Sequence, residues 1–456
     1  MHVDDLLASV ELRPATAGRN PIDWPGYRPV CAVRWGRGPV MGHQVVAVIW
    51  DFSEYGGSYG EAEADAFAAA CAEAVAERLP LLTVVRSGGT RVQEGMAALV
   101  GIPRSVQALD ALAAAGLPHI AVADHPTTGG VWVGIVSQAD LRAGLAGATV
   151  AFTGPRVVEV MTGERLPPGA HTAESAFDAG LLDAVPPRTA LGPWVSRALG
   201  AWVLRQGDPA SIHPAPPAPE RHGWAQVQAS RKLGRPGGAA LLDALLDDLV
   251  ELRGDASVRA VAGHSACGRP TVGVALAATR DARPTPRGYR LLERAATTAS
   301  RLGSDLLLLV DTPGAEPGAE SEAAGIAPSI AAAMRAVLAC ASPTLTVVHG
   351  EGGSGGALAA SVADRVLVTP LGYFTALAPE GAAAALRLAP EEAADRAALA
   401  PADLLRLGFA DAMVQAEPDP LRRAVAAELA ALAAIPQETR LTARRTRWSN
   451  PLPGGP

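Results

Sequence analysis

The feature that most constrains this 456-residue chain is an internal repeat. LLTVVRSGG at 81–89 returns as LLLLVDTPG at 306–314, so Gly89 and Gly314 lie 225 positions apart. PHIAVADHPTTGGV at 118–131 answers to PTLTVVHGEGGSGGA at 343–357, with Gly130 matched to Gly356 at an offset of 226. Asp140 and Asp364 are 224 apart, as are Pro155 and Pro379, while Asp183 in GLLDAV and Asp411 in GFADAMV are 228 apart. Landmarks kept in one order at nearly one offset imply a duplicated domain. In each half, strand-like apolar runs (VVAVIW, LLTVV, HIAVA; TVGVALA, LLLLV, TLTVV) alternate with alanine-rich helical stretches. That alternation predicts α/β units with substantial parallel pairing. The prolines of DPASIHPAPPAPE forbid a continuous helix and favour a stiff extended linker. The expected division is a domain over 1–207, a linker over 208–222, a second domain over 223–436 and a basic, Pro-rich tail over 437–456.

Composition narrows the function by exclusion. A net charge of −7 gives the chain nothing with which to recruit nucleic acid or an anionic membrane. Its four cysteines are dispersed with no CxxC pair, which argues against a zinc ribbon or a disulfide framework and fits a reducing cytoplasm. MHVDDLLASVELRP lacks the basic and apolar regions of a signal peptide, and no apolar run approaches the ~18 residues of a membrane span.

The loop VVHGEGGSGGALAA at 347–360 admits three chemical readings. Gly350, Gly352 and Gly355 satisfy GxGxxG, but no acidic residue follows roughly 20 positions on to hold a ribose. Gly352, Ser354 and Gly356 satisfy GxSxG, yet the last histidine, His349, precedes the serine, so the order Ser, acid, His cannot be met. The remaining chemical reading uses bare backbone: glycine admits φ > 0 and lets N–H groups approach a developing oxyanion. Gly129–Gly130 supplies a second such pair in the first half. A structural alternative is that both loops are tight turns that let a helix pack on a strand.

The residues flanking these loops resemble a known family. DTPGAEPGAES, HGEGGSGGALA, WAQVQASRKLGRP, PRGYRLLERA, APEGAAAAL and LLRLGFADAMV are similar to the α subunit of bacterial acetyl-CoA carboxylase carboxyltransferase. DFSEYGGSYGEAEA, SGGTRVQEGM, PTTGGVWVG and FTGPRVVEV are similar to its β subunit, so the chain resembles a β–α fusion. The resemblance implies two crotonase-like (ClpP/crotonase) α/β domains in tandem, each a twisted β-sheet with flanking helices. It implies transfer of carboxylate from carboxybiotin to the α-carbon of an acyl-CoA such as acetyl-CoA, giving malonyl-type thioesters. Such a reaction creates an enolate on the thioester and a urea-type anion on biotin, and each needs fixed N–H donors. By the resemblance Gly129 and Gly130 would face the thioester oxygen, and Gly355 and Gly356 the ureido oxygen. Gly88, Gly89, Arg91, Arg156, Gly314 and Leu358 are expected to contact substrate. His125 and His349 border the loops, with a structural role expected for each.

The chain departs from the pattern in three places. It lacks the four-cysteine zinc ribbon that usually opens the β subunit, and no metal is expected. The basic stretch before the PEGYR-like motif is shortened to TRDARPTPRGYR, which leaves fewer contacts for CoA phosphates or suits a carrier-protein thioester. His125 stands where the pattern has Asp. Lys232 lies in SRKLGR rather than in the Met-Lys-Met setting of a biotinylation site, so biotin must arrive on a separate carrier protein. The implied partners are a biotin carboxyl carrier protein and a biotin carboxylase, with at least a homodimer as the assembly and the site at the interface. Two alternatives stand beside this reading: a malonyl-thioester decarboxylase or related crotonase-fold enzyme, and a non-catalytic subunit or scaffold of a carboxylase complex.

Overall fold

The computed structural model describes residues 3–14, 17–208, 221–232, 234–280, 282–450 and 452. It divides into two compact units, Met1–Gly200 and Ala201–Pro456. Most of the proposed linker over 208–222 lies outside the described residues.

The first unit is built on a seven-stranded sheet: β1 (Glu11–Leu12), β2 (Val33–Val40), β3 (His43–Trp50), β4 (Leu81–Ser87), β5 (His119–Thr128), β6 (Leu141–Gly144) and β7 (Val150–Ala151). β1, β2 and β3 pair antiparallel, and β3 through β6 continue in parallel. The second unit has an eight-stranded sheet: β8 (Asp247–Leu252), β9 (Arg259–His264), β10 (Pro270–Ala275), β11 (Asp305–Thr312), β12 (Thr344–Gly353), β13 (Arg365–Val368), β14 (Tyr373–Thr375) and β15 (Ala412–Met413). Here β8, β9 and β10 are antiparallel and β10 through β13 are parallel, so the second unit repeats the pattern of the first. β11 (DLLLLVDT) is buried at every position, as a parallel strand covered on both faces must be.

The long central strand behaves identically in both sheets. β5 runs beside β4 in register from Leu81–His119 to Val85–Ala123, then shifts so that Ser87 meets Thr127. β12 does the same beside β11: Val310 meets Val348, and after the shift Thr312 meets Gly352. On the other edge β5 leaves β6 at Ala123 and takes up β7 at Thr127, while β12 leaves β13 at Val348 and takes up β14 at Glu351. Each central strand thus outruns its first partner and carries its last residues into a second layer.

The repeated landmarks turn out to be the devices that fix this frame. Asp140 Oδ2 accepts the N–H of His119 at the start of β5 (2.8 Å), and Asp364 Oδ2 accepts that of Thr344 at the start of β12 (2.9 Å). Asp183 Oδ2 accepts the N–H of Arg142 in β6 (2.9 Å), and Asp411 Oδ2 that of Val366 in β13 (2.7 Å). Each carboxylate satisfies a strand N–H that would otherwise be buried and unpaired. Pro155 and Pro379 open the helices Pro155–Thr162 and Pro379–Leu386, where a missing N–H is harmless.

The segment expected as a basic tail is instead largely a helix, Gln437–Ser449, docked on the second unit. Arg444, fully buried, pairs through Nε and Nη2 with Asp364 (2.7 and 2.6 Å) and donates through Nη1 to the carbonyl of Cys340 (2.6 Å). Arg447 pairs with Asp411 (2.7 Å). The reason is charge accounting: the Asp364 carboxylate is buried beneath this helix and needs a cation, while Arg447 reaches the more exposed Asp411 at its edge. No helix of the described residues is long and apolar enough to cross a membrane. Replacing Arg444 by Ala leaves the buried Asp364 with only the longer contact to Arg440 (3.4 Å), so the urea midpoint is expected to fall by an amount corresponding to about 3 kcal/mol.

Candidate active site

In the first unit the C-terminal ends of β4 and β5 meet at two glycine turns. Gly89 has φ +115°, a region that side chains rarely adopt, and its N–H donates to Ser87 Oγ (3.2 Å). Gly88 donates its N–H to the carbonyl of Gly56 (2.9 Å). Gly129 follows β5 with φ +67° and lies so close that a Cβ there would sit 3.0 Å from Gly89 Cα. Its N–H is already taken by the carbonyl of Phe152 (3.0 Å). Gly130 is the first residue of the helix Gly130–Gly134, where no i−4 carbonyl exists to receive its N–H. Thr90, directly after Gly89, has no backbone N–H bond among the described residues.

The second unit builds the same turn from different residues. Gly314 has φ +130°, and its N–H donates to Thr312 Oγ1 (3.2 Å). The next residue, Ala315, has no backbone N–H bond among the described residues. The short helix Ser354–Leu358 follows β12, and Gly355 and Gly356 occupy its first turn, with N–H groups that have no intrahelical acceptor. A Cβ on Gly356 would fall 2.8 Å from Ala315 N and 2.6 Å from Tyr289 Oη. Gly356 therefore packs without room for a side chain against an N–H and a hydroxyl. Gly355 is exposed, and a Cβ there would meet nothing within 4 Å.

Strand register revises the alignment of the two loops. Ser87 opposite Thr127 and Thr312 opposite Gly352 set an offset of 225, so Gly129 corresponds to Ser354 and Gly130 to Gly355. Conformation agrees, since Ser354 is left-handed with φ +62° beside the +67° of Gly129. The sequence match of Gly130 with Gly356 is one residue off.

The remaining expected contacts fare unevenly. Arg91 is fully buried and is not available to a phosphate. Its Nη2 donates to Glu63 (2.7 Å) and the Ser58 carbonyl (2.6 Å), Nη1 to Tyr27 Oη (3.1 Å) and the Val30 carbonyl (2.9 Å), and Nε to Ser58 Oγ (2.9 Å). All five guanidinium donors are thus used. Arg156 lies on the helix Pro155–Thr162, which buries no side chain, and is exposed. Leu358 closes its short helix half-buried. His125 is exposed and accepts the N–H of Thr149 at Nδ1 (3.1 Å). His349 is buried in β12 with Nε2 unpartnered among the described residues, and burial holds its pKa down at about 4.

Beside the second loop opens a cavity of about 630 Å³ lined by Arg231, Arg235, Arg280, Arg283, Asp311, Pro313, Glu351, Ala378, Glu380 and Gly381. Arg235 grips Asp311 through both Nη atoms (2.6 and 2.5 Å), and Arg231 bridges Glu351 (2.9 Å) and Glu380 (2.5 Å). Arg280 donates only to the Ser230 carbonyl (3.3 Å) and keeps a buried Nε without a partner among the described residues. Arg283 makes no hydrogen bond to a carboxylate among them. The shortened basic stretch thus still presents two arginines to an anion-sized hollow.

Comparison with known proteins agrees with this architecture. Residues 26–171 match the family described as "Carboxyl transferase domain", and residues 275–450 match "Acetyl co-enzyme A carboxylase carboxyltransferase-like". The acetyl-coenzyme A carboxylase carboxyl transferase subunits beta/alpha of Parafrankia sp. (strain EAN1pec) is 36% identical over 93% of this chain and 78% of its own length. The chain belongs to the acyl-CoA carboxylase carboxyltransferase family. The probable biotin-dependent acyl-coenzyme A carboxylase beta3 subunit of Mycobacterium tuberculosis (strain ATCC 25618 / H37Rv) is 35% identical to this carboxyltransferase, over 91% and 88% of the two chains. The fold is that of the transcarboxylase 12S hexamer crystallised with methylmalonyl-coenzyme A, at a TM-score of 0.79 and 21% identity, covering 94% of this chain and 87% of that one.

Sequence reasoning missed Thr90, Ala315 and Tyr289. Thr90 and Ala315 follow the matched Gly89 and Gly314, so reading the repeat one residue further finds them. Tyr289 lies in PRGYR, far along the chain from either loop, and nothing local marks it.

Two expectations follow for the carboxyltransferase. Gly356→Ala should destabilise by about 1–3 kcal/mol in urea titration through the crowded methyl, whereas Gly355→Ala should stay within ~0.5 kcal/mol. For His349, the unfolded imidazole takes up a proton near pH 6.5 and the buried one only near pH 4. The unfolded state therefore binds more protons in that window, so the contribution of this group is intact above pH 6.5 and is lost as pH falls towards 4. Between pH 7.5 and 5, wild type should lose about 2 kcal/mol relative to His349→Gln, as read from paired urea titrations.

Proposed function

We propose that this carboxyltransferase moves carboxylate from carboxybiotin, carried on a separate protein, to the α-carbon of an acyl-CoA such as acetyl-CoA, and that each glycine loop holds one anionic oxygen. The observation that carries the proposal is the pair of like-built turns: Gly89 and Gly314 at φ +115° and +130°, each followed by an uncommitted N–H and each beside a second, uncommitted N–H at a helix start. Two loops suit a reaction that develops negative charge on two oxygens, and each donor contributes on the order of 3 kcal/mol to the barrier.

In the first unit the donors would be Thr90 and Gly130, facing the thioester oxygen, with Gly89 and Gly129 shaping the turn. In the second they would be Ala315, Gly355 and Gly356, facing the ureido oxygen, with Gly314 shaping the turn. The close packing at Gly356, which leaves no room for a side chain beside Ala315 N and the Tyr289 hydroxyl, supports a backbone role for this position. Biotin, when bound, supplies the carboxylate and a basic nitrogen able to accept the α-proton. The residues of this chain hold the two oxygens still and keep donors aimed at them. Arg280 and Arg283, with the exposed Arg156, would receive phosphates or carboxylates of the ligands, and Leu358 would border the acyl group.

Biotin carboxylase and a biotin carboxyl carrier protein are the partners this chemistry requires, in a cytoplasmic complex. A homo-oligomer, at least a dimer, is supported by apolar side chains that follow the first loop and stay exposed: Phe152, Val157, Val160 and Met161.

The test is transfer itself. Purified protein given malonyl-CoA and free biotin should release acetyl-CoA in a biotin-dependent manner, and Gly356→Val should lower that rate by about 100-fold. Turnover of malonyl-CoA that ignores biotin would point to a decarboxylase. No transfer with acetyl, propionyl or longer acyl groups would overturn the proposal.

A further inference from the structure

We infer that the hydroxyl of Tyr289 is a side-chain hydrogen-bond donor to the oxygen held at the second glycine loop, beside the N–H groups of Ala315 and Gly356. The inference rests on the carboxyltransferase reading above and assigns that loop a donor that the first loop lacks.

Tyr289 sits in the first turn of the helix Pro286–Leu302, with no exposed surface. Its Oη has no hydrogen-bond partner among the described residues. A buried hydroxyl left in that state costs about 1–3 kcal/mol, and nothing described within the chain offsets it. The same atom packs beside Gly356, 2.6 Å from where a Cβ would stand, with Ala315 N 2.8 Å from that point. A ligand oxygen that accepts from the Ala315 N–H would give this neighbouring hydroxyl the acceptor it lacks. Burial raises the pKa of this phenol, so it remains an O–H donor throughout the working range.

The duplication supplies an internal control. Tyr289 is the fourth residue of its helix, and the fourth residue of the corresponding helix in the first unit, Glu61–Glu77, is Ala64. Ala64 is also fully buried, so the frame packs this helix without a hydroxyl. Ile102 also walls the first loop, its Cδ1 lying 2.5 Å from where a Cβ on Gly130 would stand, whereas a Cβ on the corresponding Gly355 would meet nothing within 4 Å. An apolar wall suits an acyl thioester. A phenol beside two N–H groups suits the more polar urea-type oxygen, which accepts several hydrogen bonds in its plane.

Tyr289→Phe removes one oxygen and keeps the ring, and Tyr289→Met serves as a second donor-free filling of similar volume. Three quantities decide the matter in the full chain: the urea midpoint without ligand, the affinity for biotin by calorimetry, and kcat for malonyl-CoA-to-biotin transfer. The expected result is an unchanged or raised midpoint, biotin binding weakened threefold or more, and kcat lowered tenfold or more, with KM for malonyl-CoA within twofold. Unaltered biotin affinity overturns the inference. So does a lowered midpoint in Tyr289→Phe, because it shows the hydroxyl already bonded inside the protein. Should wild type bind biotin through Tyr289 yet transfer nothing, the carboxyltransferase reading fails while the contact stands.

Discussion

Everything in this fold hangs on a ten-residue central strand that cannot keep one partner along its whole length. A twisted parallel sheet rotates each strand away from its neighbour, and a strand that outruns a short partner must find another or leave its backbone unpaired. β5 and β12 both solve this by a register shift against the preceding strand and a change of partner on the opposite edge. The shift brings Gly89 against Gly129 in one unit and Gly314 against Gly353 in the other. Backbones that approach so closely leave no room for side chains. The two glycine turns are therefore a by-product of how the sheet ends, built from main chain and held by the whole layer behind it.

Charge is used differently in the two roles that the molecule must combine. Where the frame is concerned, arginine and carboxylate side chains are buried together: Arg91 with Glu63, Arg444 with Asp364 and Arg235 with Asp311. Arg91 has all five donors used, and Arg444 and Arg235 each hold their carboxylate through two nitrogens, which makes them positional fixtures. At the cavity beside the second loop the balance is left open, and Arg280 and Arg283 make no hydrogen bond to a carboxylate among the described residues. Binding of anionic substrate groups needs this second condition, since a guanidinium already saturated by protein oxygens has nothing left to offer.

The duplication also shows where two copies of one frame parted. Landmark aspartates, helix-opening prolines and left-handed glycines kept their roles in both units, because each answers a backbone demand that any copy of the fold repeats. Other positions beside the turns did not. Ala64 against Tyr289 and Thr90 against Ala315 change the groups beside the loops without touching the strands, as the proposed function would require of two loops that hold oxygens of different chemistry.

The amino-acid sequence alone determined the duplication, the α/β alternation and the neighbourhood of both glycine turns, since strand periodicity, proline and glycine act over a few residues and leave local marks. It also pointed to the right family, because several motifs in register carry more information than any one glycine pattern. It misjudged what depends on contacts between distant segments. Arg91 resembled a phosphate ligand until its five donors were found on Tyr27, Val30, Ser58 and Glu63. The terminal basic run passed for a tail until Arg444 and Arg447 met Asp364 and Asp411. Only the tertiary structure decided that Gly130 pairs with Gly355, because an offset of one residue is set by which strand atoms hydrogen-bond across the sheet. It alone brought Tyr289 to Gly356, across 67 positions of chain. Proximity of that kind is fixed by packing of a helix on a sheet, and no local pattern encodes it.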